Sequence, residues 1–159
     1  MAEGERRGKR LADLSVRAAV YFRLMYSVEL DRSKRLLVIS AAQRVTAEQA
    51  KQAAQRAREL LHHVAPGFRV LADFRWLESM DSGTACHVAE IMDALTEKKV
   101  ASVTRVISDP RKDVGLNILS QFHYGPEIQI STFETLADAL QSLVKEGGGT
   151  SKGMATSDQ

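Results

Sequence analysis

The side chains best suited to chemistry in this 159-residue chain fall between Asp73 and Glu90. They are the carboxylates of Asp73, Glu78 and Asp81, the hydroxyl of Ser82, and the neighbours Cys86 and His87, with Glu90 one helical turn on. Three acids can move protons, but catalysis also needs a nucleophile, a metal or a cofactor in reach. Cys86 and His87 do not supply a nucleophile and its base, because adjacent positions on a helix point about 100° apart. Cys86 then reads as a small buried hydrophobe. His87 and Glu90 could offer two ligands to a metal, yet His62, His63 and His123 fall in other elements, and no paired-thiol spacing exists. Gly83 is isolated, and the glycines from Gly147 to Gly149 follow a helical pattern where a phosphate loop would precede one. The expectation is a non-enzymatic protein with no metal and no cofactor.

Ser82 suits a different chemistry. If a helix opens there, its free N–H groups and positive dipole end favour a phosphate by about 0.3–1 kcal/mol. A phosphoryl group would add a charge of about −2 and could expel a docked partner, although the carboxylate of Asp81 opposes it. Asp81 and Ser82 serve equally well as plain helix N-caps, each worth about 1 kcal/mol. Trp76 and Met80, in the loop that precedes them, are residue types enriched at protein interfaces; a lone tryptophan packed in the core is the alternative.

Positioning these groups requires a strand before them and a helix after. Phe68 to Phe74 reads as a central strand, apolar on consecutive positions, and Gly83 to Lys98 as an amphipathic helix with Ala85, Val88, Ala89, Met92 and Leu95 inward. Upstream, the alternation of Tyr26, Val28 and Leu30 and the apolar run Leu36 to Ile39 form a hairpin. Thr46 with Gln49 makes a capping box for a helix whose alanine-rich stripe ends at Pro66-Gly67. Downstream, Val100 to Ile107 is a strand and Asp109-Pro110 starts a helix buried through Val114, Ile118, Leu119 and Phe122. Glu127 to Ser131 is a last strand, and Ser131 with Glu134 caps a helix lined by Leu136, Leu140, Leu143 and Val144. This order predicts an α/β domain with a mixed sheet of five strands and four helices.

That domain spans 26–145. Before it, residues 1–25 carry six basic groups (Arg6, Arg7, Lys9, Arg10, Arg17, Arg23) against three acids, leaving the rest of the chain close to neutral. Leu11, Leu14, Ala18, Tyr21, Phe22 and Met25 recur there at helical spacing. A short amphipathic helix could dock on the domain, on a second subunit to form a homodimer, or on a membrane surface; a loose extension, or sequence ahead of a natural start at Met25, fits as well. Residues 146–159, glycine-rich and polar, are expected to be disordered. The net charge of +2 argues against a nucleic-acid partner, and no apolar run reaches the length of a transmembrane segment. The single cysteine excludes an internal disulfide and points to the cytoplasm.

With the elements in place, the chain resembles the STAS family, the fold of bacterial anti-sigma-factor antagonists. The resemblance rests on Asp73 to Ser82, written DFRWLESMDS, where Asp73, Leu77, Met80, Asp81 and Ser82 match the family's strand end, leucine loop and apolar-Asp-Ser helix start. Element order extends it over Tyr26 to Lys145. It implies a regulatory module that binds an anti-sigma-factor-like or serine-kinase-like protein through Trp76, Met80, Asp81, Ser82, Gly83, Thr84 and His87, with Ser82 in the place of the phosphorylated serine. The family step Asp-Ser-Ser-Gly is here Asp81-Ser82-Gly83-Thr84, a departure at two positions. The wider superfamily also implies an alternative: a carrier or sensor that binds a small apolar or anionic ligand near the strand ends.

Overall fold

The computed structural model describes residues 25–148. Strands β1 (Tyr26–Asp31) and β2 (Leu36–Val45) form the hairpin, and α1 (Ala47–Leu61) leads to β3 (Arg69–Met80). A 3-10 turn (Ser82–Thr84) opens into α2 (Ala85–Glu97), followed by β4 (Ser102–Val106). A second 3-10 turn (Pro110–Lys112) opens into α3 (Asp113–His123), and β5 (Gln129–Phe133) and α4 (Leu136–Gly147) complete the order. The sheet runs β1-β2-β3-β4-β5, with β1 antiparallel to β2 and every other pair parallel. This is the five-stranded mixed sheet with four helices that the sequence predicts.

Three parallel connections of one hand, all stepping the same way across the sheet, bring α1, α2 and α3 to one face. There Ala53, Ala57 and Leu61 of α1 and Leu95 of α2 meet Val28, Leu37, Val70 and Val103 from the strands. Alanines on α1 let it lie close to the sheet, and the Thr46–Gln49 capping box is formed reciprocally. The opposite face receives α4, whose Ala139 and Leu143 pack on Leu71 and Val106.

Four features differ from expectation. β2 and β3 do not stop at Ile39 and Phe74 but run on to Val45 and Met80, paired with each other. Since β3 leaves β4 at the Asp73–Val106 pair, its last turnless stretch, Phe74 to Met80, has only β2 as a neighbour. The result is a two-stranded tongue, bulged near Gln43, beyond the main sheet. The second change is in α3, where Val114, Ile118 and Phe122 are 57, 52 and 81% exposed, and Asp113, Leu116 and Ser120 face inward instead. The cause is Arg105 on β4, buried beneath this helix. Its guanidinium donates to Asn117 Oδ1 (2.5 Å) and Ser120 Oγ (3.3 Å), with Asp113 Oδ1 3.4 Å away. Turning the apolar stripe inward would strand that charge, a cost of several kcal/mol.

Third, α4 is capped by Thr135, whose hydroxyl accepts from Asp138 N–H, because Ser131 lies within β5; Leu140 and Val144 of α4 are exposed. Fourth, Cys86 is exposed and its thiol points to the Gly83 carbonyl, 3.3 Å away. Glu146 and Gly147, expected in a disordered tail over 146–159, close α4 instead; residues 149–159, the helix expected over residues 11–24 and the homodimer it could mediate lie outside the described residues.

Candidate functional site

The sequence-predicted site divides between the tongue and the turn that follows it. Trp76 sits on the tongue, opposite Ala42 of β2, and is 70% exposed rather than packed in the core. The Arg75 guanidinium lies 6.0 Å from its ring centroid, a cation–π distance. Arg75 also forms a two-pronged bond to Asp73, both contacts 2.9 Å. Partial burial pushes the Asp73 carboxyl up, but the bonds from Arg75 outweigh it and hold that group below the usual carboxylate range. Asp73 is therefore an anchored anion. Two side chains tie the tongue to the loop and helix beyond β4: Ser108 Oγ donates to the Arg75 carbonyl (3.1 Å) and Lys112 Nζ to that of Leu77 (2.7 Å).

Met80 ends β3 half-buried between two apolar clusters, with Val45, Ala50 and Leu77 on one side and Met92, Ile107 and Leu116 on the other. It braces the turn more than it projects from it. Asp81 then takes the cap position of the 3-10 turn, its N–H bonded to the Val45 carbonyl, but its carboxylate caps nothing. It accepts instead from Arg44 Nε at 2.7 Å. Nothing in the sequence pattern marks Arg44 as this partner, because the contact depends on β2 reaching as far as Val45.

Ser82 is the first residue of the turn and stands exposed. Thr84, which the resemblance sets in the place of a glycine, is buried and fastens the turn by donating its hydroxyl to the Asp81 carbonyl (2.7 Å). At Gly83 a Cβ would lie 3.0 Å from that of Ala47, so the turn is pressed against the start of α1 where a serine would need room. Both departures from Asp-Ser-Ser-Gly thus have a packing reason. His87 is half-buried further along, its Nδ1 3.4 Å from Glu90, which in turn accepts from Arg58 of α1 at 2.9 Å. His87 belongs to the α1–α2 junction, and among the described residues no three His, Cys, Asp or Glu side chains gather as a metal site.

Two features were not legible beforehand. One is the exposed stripe Val114, Ile118, Phe122 on α3, whose preceding 3-10 turn adjoins the tongue through Lys112. The other is a cavity of about 80 Å³ between the sheet and α1 to α3, walled by apolar groups including Ile39, Phe74, Val88 and Leu95. Arg105 and Ser120 supply its polar edge, and the Nε of Arg105 has no hydrogen-bond partner among the described residues.

No family model matches the chain, and no curated protein does. Solved structures do. A Shewanella loihica PV-4 protein with a SpoIIAA-like fold superposes with a TM-score of 0.59 at 19% identity, over 74% of this chain and 93% of that one. The anti-sigma factor antagonist SpoIIAA in its unphosphorylated form gives 0.52 at 15% identity, over 76% and 97%. An anti-sigma factor antagonist from Mycobacterium paratuberculosis gives 0.50 at 16%, over 77% and 97%. The chain has the SpoIIAA-like fold of STAS proteins.

Proposed function

We propose that this protein is a non-enzymatic regulatory module that binds another protein through the tongue and the turn after it, from Trp76 to His87. Its partner is of the anti-sigma-factor or serine-kinase-like class, met in the cytoplasm, and phosphorylation of Ser82 releases it. A single observation carries this reading: Ser82 stands exposed on a turn locked at both ends, directly after the tongue and a few residues beyond its exposed tryptophan. The Arg44–Asp81 pair adds to it. By neutralising the carboxylate next to Ser82, Arg44 lowers the repulsion that an incoming phosphate would meet. The positive dipole end of α2, which no side chain caps, favours the same charge. No described helix is long and apolar enough to cross a membrane.

The test compares capture of partner by wild type, Ser82→Asp and Trp76→Ala, each checked for unchanged thermal unfolding. Loss of one defined protein by both variants supports the module; equal capture by all three removes it. Mass spectrometry of the protein isolated from its host addresses the switch, which fails if the Ser82 peptide is unmodified when the partner is free.

The cavity favours a second reading, a carrier or sensor of a small apolar or anionic ligand. Its apolar wall and the unpartnered Arg105 Nε suit a compact acid. At about 80 Å³ it is far below the roughly 300–1,000 Å³ of ordinary ligand pockets. Only a ligand of a few heavy atoms fits without α2 or α3 moving, which places this reading second.

A further inference from the structure

Arg105 of β4 is buried, and it is the one charged side chain among the residues that line the cavity between the sheet and α1 to α3. Its two terminal nitrogens are served from α3, by Ser120 Oγ at 3.3 Å and Asn117 Oδ1 at 2.5 Å. Both acceptors are neutral. The carboxylate of Asp113 stands 3.4 Å from one terminal nitrogen without a hydrogen bond to it, and its other oxygen accepts from Asn117 Nδ2 at 3.0 Å. The Nε donor is left buried and without a partner among the described residues. Such a group costs stability until something accepts from it. A water molecule fits that task poorly, because it needs about two to four polar partners. The other polar groups on the wall are engaged within the protein: Ser120 donates to the Leu116 carbonyl (2.7 Å), Ser40 is paired with Ser27 (2.6 Å), and the Tyr26 hydroxyl donates to Gln52 (3.1 Å). Tyr124 lines the same cavity. Burial pushes its phenol up, against the opposing pull of the nearby Arg105 charge, so its hydroxyl stays a donor.

We propose that this cavity binds a short-chain monocarboxylate, its carboxylate held by Arg105 Nε and the Tyr124 hydroxyl and its chain lying among Phe74, Val88 and Leu95. Charge favours an acid over a neutral acceptor, since a hydrogen bond between a guanidinium and a carboxylate is roughly twice as strong as a neutral one. Size sets the length of the chain. An apolar cavity of about 150 Å³ holds benzene, so one of about 80 Å³ holds roughly three to five non-hydrogen atoms, the range of acetate and propionate. The way in is given by shared walls. Arg105, Ser120 and Tyr124 also line an open groove between α3 and β5, together with Asn117, Pro126 and Thr132. They set the polar end of the cavity beside solvent, and the acid enters there. The site is the one behind the second reading given above and rests on it, whereas partner binding at the tongue does not depend on it.

The probes are sodium propionate, its neutral counterpart butanone, and sodium chloride at matched ionic strength. Each is titrated into the full chain while NMR follows the methyl resonances of Val88, Ile91, Met92 and Leu95, all on the cavity wall. Propionate is expected to shift them saturably and chloride to leave them in place. Absence of a saturable shift with propionate would overturn the proposal. If butanone saturates the same methyls and propionate does not, the acid is the wrong class and the cavity still binds a ligand; if neither does, the second reading falls as well. Three variants test the seat, each checked for folding by circular dichroism. Tyr124→Phe is expected to weaken propionate binding about fivefold, the worth of one ordinary hydrogen bond, and unchanged affinity counts against Tyr124 as a donor. Arg105→Met/Asp113→Leu removes the guanidinium together with its counter-charge, so no buried charge is left alone. It is expected to abolish saturation by propionate, and binding retained in the folded double variant overturns the role of Arg105. Ala53→Leu adds three carbons to the cavity wall and is expected to exclude both organic probes. Shifts that persist in it place the ligand elsewhere and overturn the site. None of these readouts involves a partner protein, so they can fail while the tongue surface stands.

Discussion

α1 and α3 lie on the same face of one sheet, and both carry an apolar stripe at helical spacing, yet they treat it in opposite ways. α1 buries Ala50, Ala54, Ala57 and Leu61; α3 leaves Val114, Ile118 and Phe122 in solvent and turns Asp113 and Ser120 inward. The difference lies in the strands beneath. Under α1 the sheet presents Val28, Leu37 and Val70, so the apolar side is drawn down by burial worth about 1.5–3 kcal/mol for a large side chain. Under α3 it presents Arg105, and a helix lying over a buried guanidinium must bring it partners. Periodicity states which face of a helix is apolar. The most demanding group on the opposing surface decides which face goes in.

The sharpest way to break this contrast is to remove the anion under α3. Asp113→Ala leaves Arg105 without its carboxylate and is expected to destabilise by about 3–5 kcal/mol, the usual cost of breaking a buried ion pair. Urea unfolding measures it, and a loss below 1 kcal/mol would show that the orientation of α3 does not depend on this charge. Replacing both members, Arg105→Met with Asp113→Leu, is expected to recover most of the loss, because no buried charge then lacks a partner. Beneath α1 the corresponding test is steric. Ala57 is fully buried, so Ala57→Leu is expected to cost about 1–3 kcal/mol by overpacking; a neutral result in the same titration would mean that α1 lies less tightly on the sheet than its alanines imply. A smaller effect belongs to the capping box, where Thr46→Ala removes the acceptor for Gln49 N–H and is expected to cost about 1 kcal/mol.

The same contrast explains what could be read from residues alone. Strand and helix order, the Thr46 cap and the Asp109-Pro110 start depend on neighbours in sequence, and all are present in the structure. The tongue was not legible because its strands are paired with each other alone, so Arg75 to Met80 mixes charged, aromatic and apolar residues without the continuous apolar run of a central strand. Its length had consequences for the site: it moved Trp76 from a loop to a strand and brought Arg44 to Asp81. Ser82 is exposed as a helix start after Asp81 implies, but the turn is held by Val45 and Arg44 of β2 and by Thr84, with no cap from the Asp81 side chain. The position of Arg105 within β4 was visible, but its demand on α3 becomes apparent only once the two elements are known to face each other.

The smallest expected effect completes the comparison. At 81% exposure Phe122 contributes little packing to the folded state, so Phe122→Ser is expected to change stability by no more than about 0.5 kcal/mol, as exposed positions do. Leu61→Ser on α1, a buried apolar position of similar helical phase, is expected to be far more costly because it combines a cavity with a buried hydroxyl. Thermal unfolding at two protein concentrations separates the remaining explanations for an exposed aromatic stripe. Unfolding temperatures that match wild type at both concentrations mean that the stripe is free in the isolated protein and available to a partner. A drop that grows with concentration means that wild-type molecules already bury it against one another, since association stabilises the folded state by mass action. In that case α3, like α1, hides its apolar face, and the two helices differ only in whether the cover comes from the same chain.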